Sequence, residues 1–241
     1  MRTLVAIPVY NEQRYVVSVM DRVLEHADNV LVIDDGSTDT TPCLLPHFPV
    51  EVIRHRKNHG YGRSMLDAFR WAAMDNYDWV ITIDCDEQHE PESIPDFLEA
   101  ARTDRWDVIS GSRYRDEASL KDAPPEDRRR INMTITTELN ERFGLGITDA
   151  FCGFKAYRVD AVRNLQLDEP GYAFPLQFWV QAVAHGLRIT EIPVRLIYND
   201  PSRTFGGPLN DHEIRLAHYR EVFERELERC KDRLPSAAGT G

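Results

Sequence analysis

The residues best suited to chemistry lie in the stretch 79–90, WVITIDCDEQHE. Asp84 and Asp86 stand one residue apart, and the amide of Gln88 follows two further on. Neighbouring carboxylates repel each other unless something positive joins them. A hard divalent cation suits such a set, because magnesium takes oxygen ligands, keeps several waters and bridges one or two carboxylates to substrate phosphates. Asp84, Asp86 and Gln88 are therefore candidate metal ligands. The plainer alternative is a polar loop after a strand, with Cys85 as a small filler inside it.

The elements around this stretch position it. Val80, Ile81, Thr82 and Ile83 form an apolar, β-branched run that predicts a buried strand, and Pro91 opens the next helix. Three earlier runs, 3–9, 30–33 and 50–54, predict further strands. Apolar residues at helical spacing separate them: Val16, Val17, Met20, Val23 and Leu24 after the first, and Met65, Leu66, Phe69 and Ala72 after the third. Thr41-Pro42 starts a short helix between the second and third runs, as proline favours a first turn. Ile94, Phe97, Leu98 and Ala101 then mark a helix after the carboxylates. This alternation predicts an α/β fold with a mostly parallel sheet and helices on both faces. Ligands of such sheets bind beyond the carboxyl ends of the strands. Each strand exit here is polar or glycine-bearing: Tyr10-Asn11-Glu12, Asp34-Asp35-Gly36, 58–62 and 84–88. All four are expected to line one edge.

The second half is less regular. A strand is expected over 108–111, a polar loop over 118–127, and a helix over 128–143 ended by Gly144. The segment 149–158, DAFCGFKAYR, reads as a glycine-containing turn, followed by a helix over 172–185, a strand over 188–198 and a flexible segment over 199–210. A charged amphipathic helix over 211–233 is expected to pack on the domain, and 234–241 reads as a disordered tail. The domain is expected to span 1–233, with a donor half (1–110), an acceptor half (111–210) and the terminal helix.

Composition narrows the function. A net charge of −11 argues against broad nucleic-acid binding, which needs a basic footprint. The four cysteines are scattered, with no CxxC or zinc spacing, and read as free thiols in a reducing compartment. No signal-peptide profile opens the chain, and no run approaches the roughly 18–20 apolar residues of a membrane span. A cytoplasmic protein is expected, with peripheral contact at the membrane face where its substrate demands it.

Seven pieces in order, among them VAIPVYNE, VIDDGSTDTT, DCDEQHEPE, GSRY and TDAFCGFKAYR, carry a resemblance over about residues 3 to 207. The chain resembles family 2 glycosyltransferases of GT-A fold, and within them the dolichyl- or polyprenyl-phosphate sugar synthase branch. The resemblance implies a nucleotide diphosphate sugar donor, with Pro8, Tyr10, Asn11 and Glu12 bordering base and ribose, and Asp35 accepting from the base. Asn58, Gly60 and Gly62 would let backbone pass close to the nucleotide. Asp84, Asp86 and Gln88 would hold magnesium or manganese against the diphosphate, with Asp86 central to catalysis. Arg113 and Arg203 would contact phosphate, and Arg128, Arg129 and Arg130 lie near where a second acceptor arginine falls. Asp149 would serve as a general base or recognise a sugar hydroxyl, with bracing of its turn as the structural alternative.

Departures from the family pattern concentrate on the acceptor segments. Tyr61 stands where relatives often carry lysine. Ala173, Pro175 and Gln177 occupy a stretch where a glutamate is common, and Arg115, Asp116 and Glu117 replace glycines after GSRY. The implied reaction is a single inverting displacement, with polyprenyl phosphate as preferred acceptor and a saccharide or other soluble hydroxyl as runner-up. Two further readings are a nucleotide-sugar-binding module without turnover and a sugar nucleotidyltransferase. The latter normally opens with a glycine-rich basic loop, where this chain offers Tyr-Asn-Glu after Val9.

Overall fold

The structure is a computed structural model that describes residues 1–115, 126–197 and 207–235. The apolar runs become strands β1 (Thr3–Val9), β2 (Val30–Asp34), β3 (Glu51–Arg54), β4 (Trp79–Thr82) and β5 (Val108–Ser112), joined by β6 (Lys155–Arg158) and β7 (Ile189–Pro193). They form one seven-stranded sheet in the order β3-β2-β1-β4-β6-β5-β7. β2, β4 and β5 are buried at every position, as expected of strands covered on both faces.

Eight helices flank the sheet: α1 (Val16–Leu24), α2 (Thr41–Leu44), α3 (Tyr61–Met74), α4 (Ile94–Arg102), α5 (Glu126–Phe143), α6 (Val159–Val162), α7 (Phe174–Ala184) and α8 (His212–Cys230), counted among the described residues. Side chains of β1 alternate between two cores, as the period of a strand requires. Leu4 and Ala6 join Met65, Phe69 and Trp179 on one face, while Val5, Ile7 and Val9 join Val16, Met20, Ile94 and Phe97 on the other. α1 buries Val16, Val19, Met20 and Val23, the spacing of one helical stripe. α8 is capped by Asp211, whose Oδ1 accepts from the backbone N–H groups of Glu213 (2.8 Å) and Ile214 (3.0 Å).

The sheet is mostly parallel, as expected, with one departure. The segment 149–158 is not all turn: its second half is β6, antiparallel to both β4 and β5. At four residues with charged ends, KAYR is too short for its period to speak. The reversal matters for placement. β6 begins where β4 and β5 end, with Lys155 opposite Thr82 on one side and Ser110 on the other. Residues 149–154 therefore arrive at the same sheet edge as the Asp84 loop. The helix expected over 172–185 starts at Phe174, with Pro175 in its first turn. The strand expected over 188–198 stops at Pro193, and the terminal helix runs from His212 to Cys230. All four cysteines are free thiols, with Cys43 exposed and the others buried. Among the described residues no helix is long and apolar enough to cross a membrane.

Phe97 is fully buried and its ring stacks on Phe154 with centroids 4.4 Å apart, tying α4 to the segment before β6. Phe97→Ala is expected to lower stability by about 3–5 kcal/mol, measured as the shift in a urea unfolding midpoint at unchanged slope.

Candidate active site

The carboxyl ends of the strands open into a cavity of about 640 Å³. Pro8, Tyr10, Glu12, Asp35, Asn58 and Gly60 line one side, Asp84, Asp86 and Gln88 its middle, and Arg113 the other side. Three sequence-predicted residues, Asn11, Gly62 and Asp149, are not among its lining, and Arg203 lies outside the described residues.

The absences have physical causes. Asn11 takes a left-handed φ of 57°, and its Oδ1 accepts from Thr38 N (2.8 Å). It buttons the β1 exit to the β2 exit. Gly62 sits in the first turn of α3, where an added Cβ would lie 2.0 Å from the Glu169 carbonyl oxygen. That glycine admits the backbone of 169–170. Gly60, at φ 99°, makes the same close approach to Pro170, yet it also lines the cavity.

Asp35 is the anchor of this side. Its Oδ1 accepts from His59 N (2.8 Å) and faces His55 Nδ1 at 2.6 Å, and its Oδ2 accepts from Gly60 N (2.7 Å). A carboxylate oxygen has two lone pairs, so Oδ2 retains one for a ligand. The other ring nitrogen of His55 lies 3.0 Å from Asp67 Oδ2, so a histidine fixed between two carboxylates orients Asp35. Sequence reasoning missed His55 and Asp67, since neither belongs to a motif and their meeting is tertiary.

In the middle, Asp86 is mostly buried and its Oδ1 accepts from Gln88 N at 3.0 Å. Glu87 between them adopts φ 55°, which turns the chain sharply. Among the described residues no group of three or more His, Cys, Asp or Glu side chains could hold a metal ion alone. The donor set of two carboxylates and an amide fits magnesium or manganese, which complete their shells with water and phosphate oxygen. His89 is no proton donor here. Burial, with the positive charge of Arg113, pushes its imidazole down to about 3, so it stays neutral. Cys152, 3.9 Å from His89 Nε2, is equally inert: burial, reinforced by the charge of Asp149, pushes its thiol up to about 12.

On the far side Arg113 and Asp149 form a buried two-pronged pair, Nε to Oδ2 at 2.6 Å and Nη2 to Oδ1 at 2.8 Å. Asn132 Nδ2 (2.7 Å) and Phe151 N (3.2 Å) also donate to Asp149 Oδ1. This geometry bears on the expectation that Asp149 acts as a base or recognises a sugar hydroxyl, because Arg113, Asn132 and Phe151 already engage the carboxylate. It has no exposed surface, and its oxygens are taken by donors that favour the charged form. It braces Arg113. Beyond them the cavity is lined by Arg128 and Arg215, and by Ile131, Phe151, Tyr172, Pro175, Leu196 and Tyr219. Arg129 and Arg130 are exposed and are not among the lining residues. Arg215 is buried, with Nη1 donating to Leu209 O (2.8 Å) and Nη2 to Asp127 (3.2 Å). In the sequence it was one more charge on an amphipathic helix.

The model for glycosyl transferase family 2 matches residues 4–166. The chain belongs to glycosyl transferase family 2. It is 31% identical to polyprenol monophosphomannose synthase of Mycolicibacterium smegmatis, over 80% of this chain and 76% of that one. It is 29% identical to undecaprenyl-phosphate mannosyltransferase of Micrococcus luteus, over 91% and 94%. These likenesses put it in the polyprenyl-phosphate sugar synthase branch. The fold is similar to that of glucosyl-3-phosphoglycerate synthase from Mycobacterium tuberculosis, solved with manganese, uridine diphosphate and glucosyl-3-phosphoglycerate. The TM-score is 0.69 at 20% identity, with 98% of this chain and 81% of the other covered, which shows a GT-A fold.

In this glycosyltransferase the Arg113–Asp149 pair also carries stability. Burial alone would push the Asp149 carboxyl up, but the adjacent guanidinium of Arg113 and the Asn132 amide hold it down at about 2. A carboxyl depressed on folding stabilises the protein above its unfolded value, and that contribution is lost as pH falls through the folded one. Asp149→Asn would leave the Arg113 charge buried without its partner and is expected to cost about 3–5 kcal/mol at pH 7. In thermal unfolding, the gap between wild type and variant should close as pH falls from near 4 toward 2.

Proposed function

We propose that this glycosyltransferase moves one sugar from a nucleotide diphosphate sugar to a polyprenyl phosphate, with inversion at the anomeric carbon. The observation that carries this reading is the two-sided cavity. Oxygen donors suited to a metal-bound diphosphate lie in its middle, and arginines set among aromatic and aliphatic side chains form its far wall. Guanidinium groups suit a phosphate headgroup, because their planar fork matches its oxygens. The apolar residues beside them suit a prenyl chain.

The nucleotide would lie along Pro8, Tyr10, Glu12 and Asn58, with the remaining lone pair of Asp35 accepting from the base. A divalent cation held by Asp84, Asp86 and Gln88 would supply Lewis-acid stabilisation of the departing diphosphate. Arg113, held in one rotamer by Asp149, would aim the acceptor phosphate, with Arg128 and Arg215 behind it. A phosphate oxygen forms the new bond to the anomeric carbon while the bond to the diphosphate breaks and its electron pair leaves with the nucleotide. That nucleophile is already anionic and needs no base. The engagement of Asp149 with Arg113 therefore costs the reaction nothing. The acceptor would be met at the membrane face by a peripheral protein.

The test is an incubation with manganese, a panel of nucleotide diphosphate sugars and undecaprenyl phosphate in detergent, read by mass spectrometry. One sugar should add to the prenyl phosphate, and Asp86→Ala should lower the rate by about 100-fold or more. Transfer only to saccharides or other soluble acceptors, with none to the prenyl phosphate, would overturn the reading.

A further inference from the structure

Asp84 leaves β4 beside a turn that meets it closely. An added Cβ on Gly153 would lie 2.0 Å from Asp84 Oδ2, 2.6 Å from its Cγ and 2.7 Å from its Oδ1. All three carboxylate atoms thus rest against one glycine, and no other residue type fits there. The turn itself is held from three directions. Thr82 Oγ1, on β4, donates to the Gly153 carbonyl at 2.8 Å. Lys155, only 3% exposed, donates from Nζ to the Cys152 carbonyl and lies 5.5 Å from the centre of the Trp179 ring on α7. Phe154 stacks on Phe97 of α4.

Burying an ammonium costs free energy unless partners offset it. Here burial pushes the Lys155 pKa down, while the negative charges of Asp84 and Asp149 act in the other direction. A methionine or leucine would fill the same volume at lower cost. The lysine is therefore better explained by what it holds than by packing.

We propose that the turn 152–155, clamped by Lys155 and surfaced by Gly153, is the device that orients the Asp84 carboxylate for a divalent cation. Gly153, which lines the cavity without a side chain, and Lys155, which is buried behind it, are positioning residues that act through Asp84. The inference rests on the proposed role of Asp84 as a metal ligand. Residues that orient metal ligands typically change affinity by about 10–100-fold when replaced.

The experiment is a manganese titration followed by electron paramagnetic resonance, in the presence of a nucleoside diphosphate. It compares wild type with Gly153→Ala, Lys155→Met and the near-isosteric Thr82→Val, which removes the hydroxyl that bonds the turn and also meets Tyr157. Binding of the nucleoside monophosphate without metal is measured on the same samples, together with circular dichroism. About tenfold weaker manganese binding is expected in Gly153→Ala and Lys155→Met, and a smaller loss in Thr82→Val, with metal-free nucleotide binding unchanged. Folded variants that bind manganese as wild type does would overturn the inference. So would a parallel loss of metal-free nucleotide binding, which would make the turn a general support of the fold. Failure of wild type to bind manganese would instead remove the metal reading of Asp84 itself.

Discussion

The antiparallel ladder between β4 and β6 is the constraint on which the site depends. Every other strand pairing up to β4 is parallel, so each strand exit delivers its loop to the same edge. A further parallel strand beside β4 would have brought its own exit there and carried the preceding segment to the opposite edge. β6 runs the other way, so the residues before it, Asp149 to Phe154, arrive at the edge where Asp84 emerges. The register of Thr82 with Lys155 fixes that meeting to within a residue, because a slip of one would turn every side chain to the other face. Buried Ala156 and Tyr157 specify the register by joining opposite cores.

That meeting creates an electrostatic problem the fold solves with pairs. The cavity gathers carboxylates in its middle and guanidinium groups on its far wall, in a chain of net charge −11. A guanidinium withdrawn from water without a partner would be costly, and the fully buried Asp149 offsets much of that cost for the half-buried Arg113 by a two-pronged bond. Glu191 supports the same turn from β7, accepting from Thr148 N (2.9 Å) and Asp149 N (3.1 Å). Burial raises the Glu191 carboxyl despite those bonds. Asp149 thus holds Arg113 and Glu191 holds the turn that carries Asp149, while Arg113 joins Arg128 and Arg215 in lining the far wall with positive charge.

The parts of this arrangement visible in the sequence are those that local patterns encode. Long apolar runs gave strands 3–9, 30–34 and 79–82, and most of the helical stripe of α1 was plain, with Val16, Met20 and Val23 buried as read, although Val17 is exposed and Val19 takes its place in the core. The polar exits were visible for the same reason, each following directly on its run. β6 was hidden because four residues, two of them charged, carry no readable period, and because a buried lysine is rare enough to read as a loop residue. Asn11 and Gly62 belong to motifs at the site, but their side chain or missing side chain serves backbone packing, which only the contacts of Thr38 and Glu169 reveal. His55 and Arg215 carried no local signal at all. Each acquires its place through residues distant in the chain, Asp35 with Asp67 for the first and Asp127 for the second.

The division between legible and hidden parts follows the two sides of the cavity. Residues of its near side come from consecutive strand exits between Pro8 and Gln88, so they sit in short contiguous motifs that a parallel sheet converts directly into a surface. The far wall is assembled from Arg113, Arg128, Tyr172 and Arg215, which lie on unrelated elements and meet only after α5, α7 and α8 have packed. Helix packing can shift such a wall without disturbing the strand exits, whereas moving a strand exit shifts every loop at that edge. Acceptor preference can therefore diverge among proteins that keep one donor chemistry. Of the departures of this chain from the family pattern, the one at Ala173 to Gln177 falls beside that far wall, which Pro175 lines, whereas Asp116 and Glu117 lie outside the described residues. The strand exits retain the pattern apart from Tyr61. Arg113 sits directly after a strand, β5, and is pinned by Asp149 in the segment whose Gly153 also meets Asp84, while Phe151 of the same segment stacks on Tyr219. That shared segment, 149–155, couples the orientation of the Arg113 guanidinium to the orientation of the Asp84 carboxylate, so the two sides of the cavity are held in one relation.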